Sequence, residues 1–210
     1  LLALIGVIAY RHSTGKDLEK YEASFFDVFD TQTQIIGYAS SKEQFSEQMS
    51  LIKDKFQYYN DLYDIYHDYE GMNNIKTIND NAGIQPVKVD EEIIELLKLG
   101  ITMDEKTDGN MNIAMGSVLS IWHDYREAGS EDPYSAELPP MDELERAAEH
   151  TDIHNIVIDE EASTVYLTDP DMSLDVGSIG KGYAVQKVAE YAKNELGIRY
   201  MLFSVGGNVC

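Results

Sequence analysis

The stretch Leu174-Asp175-Val176-Gly177-Ser178-Ile179-Gly180-Lys181-Gly182-Tyr183-Ala184-Val185 limits the choice of fold more than any other part of this 210-residue chain. Met172, Leu174 and Val176 alternate with more polar residues, which predicts a strand. Beyond the glycines, Val185, Val188, Ala189, Ala192 and Leu196 fall on one face of a predicted helix. A strand, a glycine turn and a helix start can form an anion site, because glycines admit a ligand close to the backbone and the first helical N–H groups have no intrahelical acceptor. Lys181 adds a mobile cation within reach of a phosphate, and Asp175 can accept from a hydroxyl or an amine. The spacing excludes two familiar nucleotide loops: Gly177 and Gly180 are too close for a Walker loop, and the glycine order is not that of the dinucleotide fingerprint. A tight structural turn without a ligand satisfies the same residues.

The formal charge of −22 excludes nucleic acid or an anionic lipid surface as the main partner. Cys210 is the only cysteine, so the chain has no disulfide and no cysteine-rich metal site. Leu1–Tyr10 is apolar and is followed by Arg11, His12 and Lys16. Ten residues are too few to span a bilayer, so residues 1–24 read as the remainder of a signal or membrane anchor plus a polar linker, ahead of a domain over residues 25–210.

Phe25–Ala39 reads as one or two strands with Phe25, Asp27, Phe29, Thr31, Thr33 and Ile35 on one face. Ser40 and Ser41 are candidate caps for a helix whose core stripe is Phe45, Met49, Ile52 and Phe56. Tyrosines crowd residues 57–69, where they either line a helix or loop or stack on an aromatic ligand. Residues 79–89 read as a loop, and Asp90 caps a helix bearing Ile93, Ile94, Leu97 and Ile101. Residues 113–122 read as interior, with Trp122 a core indole and His123 at its rim; residues 126–140 read as a loop. A short helix follows at 141–150, then a hairpin around residues 159–162 with Val157 and Val165 facing inwards. His150 and His154 stand four apart, but the Thr151-Asp152 break makes a shared metal-binding face a poor fit.

Three further strings run in register with the opening motif. Asp175-Val176-Gly177-Ser178-Ile179-Gly180-Lys181-Gly182-Tyr183-Ala184, Thr107-Asp108-Gly109-Asn110-Met111-Asn112 running to Gly116, Ser204-Val205-Gly206-Gly207-Asn208, and Leu62-Tyr63-Asp64-Ile65-Tyr66 with Asn73, Asn74, Ile78 and Asn79 together resemble the ApbE-type FAD:protein FMN transferases. The resemblance runs from about Phe25 to Cys210. It implies an α+β fold, a mixed and largely antiparallel sheet with packed helices. It also implies that FAD is the substrate, that Mg2+ bridges its phosphates, and that FMN passes to a Thr or Ser hydroxyl of an acceptor protein with release of AMP. By the same resemblance Asp175 and Lys181 are catalytic and bind cofactor, and Phe29, Tyr66, Asn110, Met111 and Asn112 contact FAD. The backbone carbonyl at Ser178 is a metal ligand. Phe29-Asp30 stands where other members have Met-Gly, and Asn112 where many have Asp.

The resemblance further implies an extracytoplasmic, membrane-anchored protein. The family's acidic metal ligands fall beyond Cys210, so the expectation is a sequence truncated at its C-terminus and N-terminus whose 210 residues alone are inactive. A metal-dependent FAD pyrophosphatase and a non-catalytic flavin-binding protein of the cell surface are the alternatives.

Overall fold

The structure is a computed structural model and describes residues 18–210; the expected anchor at residues 1–10 and the first part of the expected linker lie outside the described residues. In chain order the elements are β1 (Glu19–Val28), β2 (Thr31–Ala39), α1 (Lys42–Leu62), α2 (Ile75–Asp80), β3 (Val87–Lys88), α3 (Glu91–Lys106), α4 (Gly116–Glu131), α5 (Met141–Ala148), a 3₁₀ turn (Ile153–Asn155), β4 (Ile156–Asp159), β5 (Thr164–Leu167), α6 (Gly177–Asn194), β6 (Met201–Val205) and β7 (Asn208–Val209). This is the expected α+β class, with both sheets antiparallel. The described chain divides into two units: residues up to Asn60 with Lys181–Cys210, and Asp61–Gly180.

The first unit holds a four-stranded sheet in the order β1-β2-β6-β7. β1 begins at Glu19, inside the stretch expected to be a linker, and pairs along β2 from Glu19↔Ala39 to Val28↔Thr31. The two strands meet in a turn with Phe29 at φ 54° and Asp30 at φ 49°. Two left-handed residues give the turn twist that antiparallel strands favour, and they end the single face that the sequence carried through Phe29. Ser41 caps α1 by accepting from the Gln44 N–H at 3.2 Å. Phe45, Met49, Ile52 and Phe56 are buried as expected. The Phe45 ring stacks on Tyr21 with centroids 5.3 Å apart, and Phe56 meets Phe25 at 6.2 Å and Phe203 at 5.9 Å, so α1 covers one face of the sheet. Val185, Val188 and Ala192 of α6 are buried too.

The second unit carries the three-stranded sheet β3-β5-β4 and helices α2 to α5. Asn79 lies in α2 and Val87–Lys88 pair with β5, so residues 79–89 are not the plain loop expected. Ile93, Ile94, Leu96 and Leu97 bury one side of α3. α4 continues through Arg126 to Glu131, which overturns the expected loop from 126; its end is set at Asp132, extended at φ −132° because it precedes Pro133. In the β4–β5 hairpin Val165 is buried, whereas Val157 is 48% exposed. Ile156 and Ile158 face inwards on β4, with Ile158 opposite Val165, because side chains alternate along a strand.

Met172, Leu174 and Val176 are buried at 2%, 0% and 2% exposure, as the alternation predicts, yet this stretch belongs to neither sheet. Its partners are other groups. The Asn79 side chain donates to the Leu174 carbonyl at 3.0 Å and accepts from the Leu174 N–H at 2.7 Å. On alternate residues, Asp175 N–H donates to the Ile113 carbonyl at 2.9 Å and Gly116 N–H to the Ser173 carbonyl at 3.1 Å. Gly116 permits that approach: a Cβ there would come within 2.6 Å of the Ser173 carbonyl oxygen. Gly116→Ala is therefore expected to lower the unfolding free energy by about 1–3 kcal/mol. Glu127→Ala, at an exposed position of α4, should change it by no more than about 0.5 kcal/mol. Urea denaturation of the two variants checks the difference.

Candidate functional site

α6 starts at Gly177, directly after the clamped stretch. The N–H groups expected to stand bare there are largely used within the chain. Gly177 N–H donates to Asp175 Oδ1 at 2.8 Å, and the N–H groups of Ile179 and Gly180 reach the Val176 carbonyl at 3.1 and 2.7 Å. Asp175 thus fixes the turn and places its own negative charge at the positive end of the helix. Gly180 is buried, where a Cβ would meet the Tyr63 ring at 3.6 Å, while Gly177 and Ser178 are exposed. Lys181 is half-buried one residue further along the same helix and belongs to the other unit, as does Phe29 in its hairpin turn. Phe29 N–H donates to Asn60 Oδ1 at 2.7 Å.

Tyr66 sits in a loop organised by Asp64. Asp64 Oδ1 accepts from the backbone N–H groups of Tyr66 at 2.6 Å and His67 at 3.3 Å. Its Oδ2 accepts from the Tyr69 hydroxyl at 2.8 Å and meets His67 Nδ1 at 2.9 Å. Burial pushes the Asp64 carboxyl up, but the hydrogen bonds from Tyr66, Tyr69 and His67 outweigh it and hold the group below the usual carboxylate range. The Tyr66 ring is left 54% exposed. Its hydroxyl is raised above its ordinary value by burial first and then by the negative charge of Asp175, with the Arg126 cation opposing. The structure therefore brings Tyr66 and Asp175 into one electrostatic neighbourhood. Asp64 lies within the Leu62–Tyr66 string but was not read as a site residue; the signal for its role is that an Asp side chain readily accepts from the backbone two residues on, an Asx turn.

The 107–112 segment is a tight turn with Asp108 at φ 53° and Gly109 at φ 78°. Thr107 Oγ1 donates to the Met103 carbonyl at 2.8 Å and accepts from Met111 N–H at 3.0 Å. The Asn110 amide donates to the Thr107 carbonyl at 2.6 Å. Asn112 donates to the Thr151 carbonyl at 2.8 Å and accepts from Ala114 N–H at 2.7 Å, so its side chain serves the scaffold. Ile113, the next residue, supplies the carbonyl that receives Asp175 N–H, which joins this turn to the glycine motif. Trp122 is not the expected core indole: it is 43% exposed on α4, and His123 is half-buried beside Tyr66.

A magnesium ion asks for an octahedron of oxygens and keeps several waters. The residues of the motif do not form such a cage. Asp175 offers one carboxylate, already bonded through Oδ1 to Gly177. Ser178 lies exposed in the first turn of α6, next to the residue whose N–H Asp175 holds. Among the described residues one His/Asp group has its ligand atoms within 4.8 Å of one another: His150, Asp169 and Asp171. His154 is not in it. His150 Nδ1 lies 2.9 Å from Asp169 Oδ2, and that hydrogen bond raises the imidazole above its ordinary value and lowers the Asp169 carboxyl.

Comparison with known proteins agrees with these strings. The ApbE family matches residues 29–210. The FAD:protein FMN transferase of Klebsiella pneumoniae is 25% identical over 182 residues, covering 87% of this chain and 55% of that protein. The FAD:protein FMN transferase of Treponema pallidum is 28% identical over 140 residues, covering 64% and 36%. The chain thus spans about half, or less, of the length of these relatives. Among solved structures, the ApbE protein of Thermotoga maritima superposes with a TM-score of 0.73 at 24% identity, covering 91% of this chain and 58% of its own. The flavin transferase ApbE of Vibrio cholerae gives 0.74 at 19% identity, covering 92% and 59%. These two likenesses show the shared fold.

Two outcomes follow from the geometry. Asp64→Ala removes the acceptor for the Tyr66 and His67 amides and should accelerate their hydrogen exchange by at least about tenfold, with amides of α3 unchanged. For His150, a folded value raised above 6.5 gives stability that is present below about pH 6 and lost as pH rises through the folded value. For Asp169, a folded value lowered from 3.8 gives stability that is present above about pH 4 and lost as pH falls through the folded value. The stability gap between the protein and His150→Gln should therefore be widest near pH 5 and shrink by about pH 8, as read by thermal melts across that range.

Proposed function

The chain belongs to the ApbE family, and from that premise we propose that the whole protein transfers the FMN moiety of FAD to a Thr or Ser hydroxyl of an acceptor protein. The hydroxyl oxygen attacks the FMN-side phosphorus, the bond between that phosphorus and the bridging oxygen breaks, and AMP leaves. The hydroxyl proton passes to solvent or to the departing phosphate. Reactions of this kind depend on positioning and on neutralising charge between the attacking and leaving oxygens.

The observation that carries the reading is the exposed Tyr66 ring, on a loop whose backbone Asp64 holds, with the negative charge of Asp175 acting on its hydroxyl. A rigid aromatic face with a carboxylate beside it suits a flavin ring and the hydroxyls of its ribityl chain. Asp175 Oδ1 holds the turn and leaves Oδ2 to accept from such a hydroxyl. Lys181 is the motif's cation for phosphate. Asn110 and Met111 of the second unit, and separately Phe29 of the first, are proposed as flavin contacts on the family resemblance alone, whereas the Asn112 side chain holds the turn. Magnesium, when bound, would neutralise phosphate charge, and the residues described here would supply Asp175 as its neighbour. The apolar run Leu1–Tyr10 ahead of Arg11 and Lys16 supports an anchored protein acting outside the cytoplasm. Among the described residues no helix is long and apolar enough to cross a membrane.

The test is to incubate the full-length protein with FAD, magnesium and a candidate acceptor, and to follow the acceptor by mass. An FMN-sized increase on a Thr or Ser is expected. Lys181→Ala and Asp175→Ala should each slow it by at least about a hundredfold. Free FMN without acceptor labelling would instead make the protein a pyrophosphatase. Stoichiometric flavin with no turnover would make it a binding protein.

A further inference from the structure

Beside Tyr66, α4 presents His123 and Arg126 in an arrangement that neither sequence motif nor family match assigns. The His123 ring lies against the Tyr66 ring with centroids 5.0 Å apart and planes inclined by 30°. An Arg126 guanidinium nitrogen stands 2.7 Å from His123 Nδ1, and the Tyr66 hydroxyl is 3.4 Å from the same atom. Arginine has donors only, so Nδ1 is the acceptor and the imidazole proton resides on Nε2. The histidine thereby holds the guanidinium beside the tyrosine. Among the described residues Arg126 also pairs with Glu127 at 3.6 Å, and that pair is exposed on both sides and weak.

The charges that oppose Arg126 at the Tyr66 hydroxyl are carboxylates. Asp64, Asp175 and Glu127 act on the Tyr66 hydroxyl in one sense, and Arg126 is the cation that acts in the other. In a chain with 38 acidic and 16 basic residues, a cation kept at the edge of an exposed aromatic ring has a chemical consequence. The pair fits a ligand that carries a flat ring and an anionic group a short distance away. Guanidinium matches phosphate oxygens in a fork geometry that an ammonium group lacks.

We propose that Arg126, held by His123, binds a phosphate of the flavin nucleotide whose ring rests on Tyr66, and so selects phosphorylated flavins over riboflavin. This deepens the function proposed above and rests on it. His123 is a positioning residue, acting through Arg126 and packing against the Tyr66 ring.

The experiment is a set of fluorescence titrations of the full-length protein with FAD, FMN and riboflavin. Arg126 is exposed, so Arg126→Gln leaves the fold intact. It should weaken FAD and FMN by about tenfold and leave riboflavin within about twofold. Tyr66→Ala should weaken all three. His123→Leu should reproduce Arg126→Gln, while His123→Asn, which keeps an acceptor near the place of Nδ1, should restore most of the affinity for FMN. Unchanged FMN and FAD affinity in Arg126→Gln, or an equal loss for riboflavin, would overturn the phosphate contact. If that happens while Tyr66→Ala still loses flavin, the family-based function stands and this inference alone falls. A wild-type protein that takes up none of the three flavins removes both.

Discussion

The two hydrogen bonds between the Asn79 side chain and the backbone of Leu174 hold the site's geometry together. Buried backbone groups must find partners, and residues 172–176 run through the interior of the second unit without a neighbouring strand. One amide exchanges both bonds with one residue, the pattern by which antiparallel strands pair. The opposite edge is served by the Ile113 carbonyl and the Gly116 N–H. The segment is a strand in everything except its partners. What these contacts fix is where α6 begins, and with it the position of Asp175.

Much of the architecture was legible because amphipathic periodicity is local. The stripe of α1, the buried side of α3 and the apolar face of α6 follow from residues within a few turns of one another. The failures have physical causes of three kinds. Phe29-Asp30 adopts a left-handed turn without glycine, so nothing in the composition marked the hairpin. In α4, Gly129 and Ser130 looked like a loop, but the helix tolerates them and stops where Pro133 constrains Asp132. Trp122 failed for a third reason: helical position does not say which face meets the core.

The candidate site divides along the same line. Its residues were visible as strings, but their uses were not. Asn79 pairs with a residue 95 positions away and Asn112 with one 39 positions away, distances over which a single sequence carries no signal. Both asparagines serve the scaffold, which shows that a family-like string mixes residues that touch a ligand with residues that hold the others in place. Asp64 is the reverse case: within its string only Tyr66 was read as a contact, yet the orientation of the Tyr66 loop passes through the Asp64 carboxylate.

The electrostatics of α6 bear on how a dinucleotide can approach. A helix N-terminus attracts anions, but here Asp175 already occupies the first amide with its carboxylate. A diphosphate arriving at the same place meets that charge, within a chain whose formal charge is −22. Within the second unit the attraction must then come from the guanidinium beside Tyr66, or from a metal ion that arrives with the phosphates. On this account Asp175 discriminates by repulsion as well as by acceptance. Under the function proposed above, such a carboxylate favours a hydroxyl-bearing chain or a cation-complexed phosphate and disfavours a bare anion.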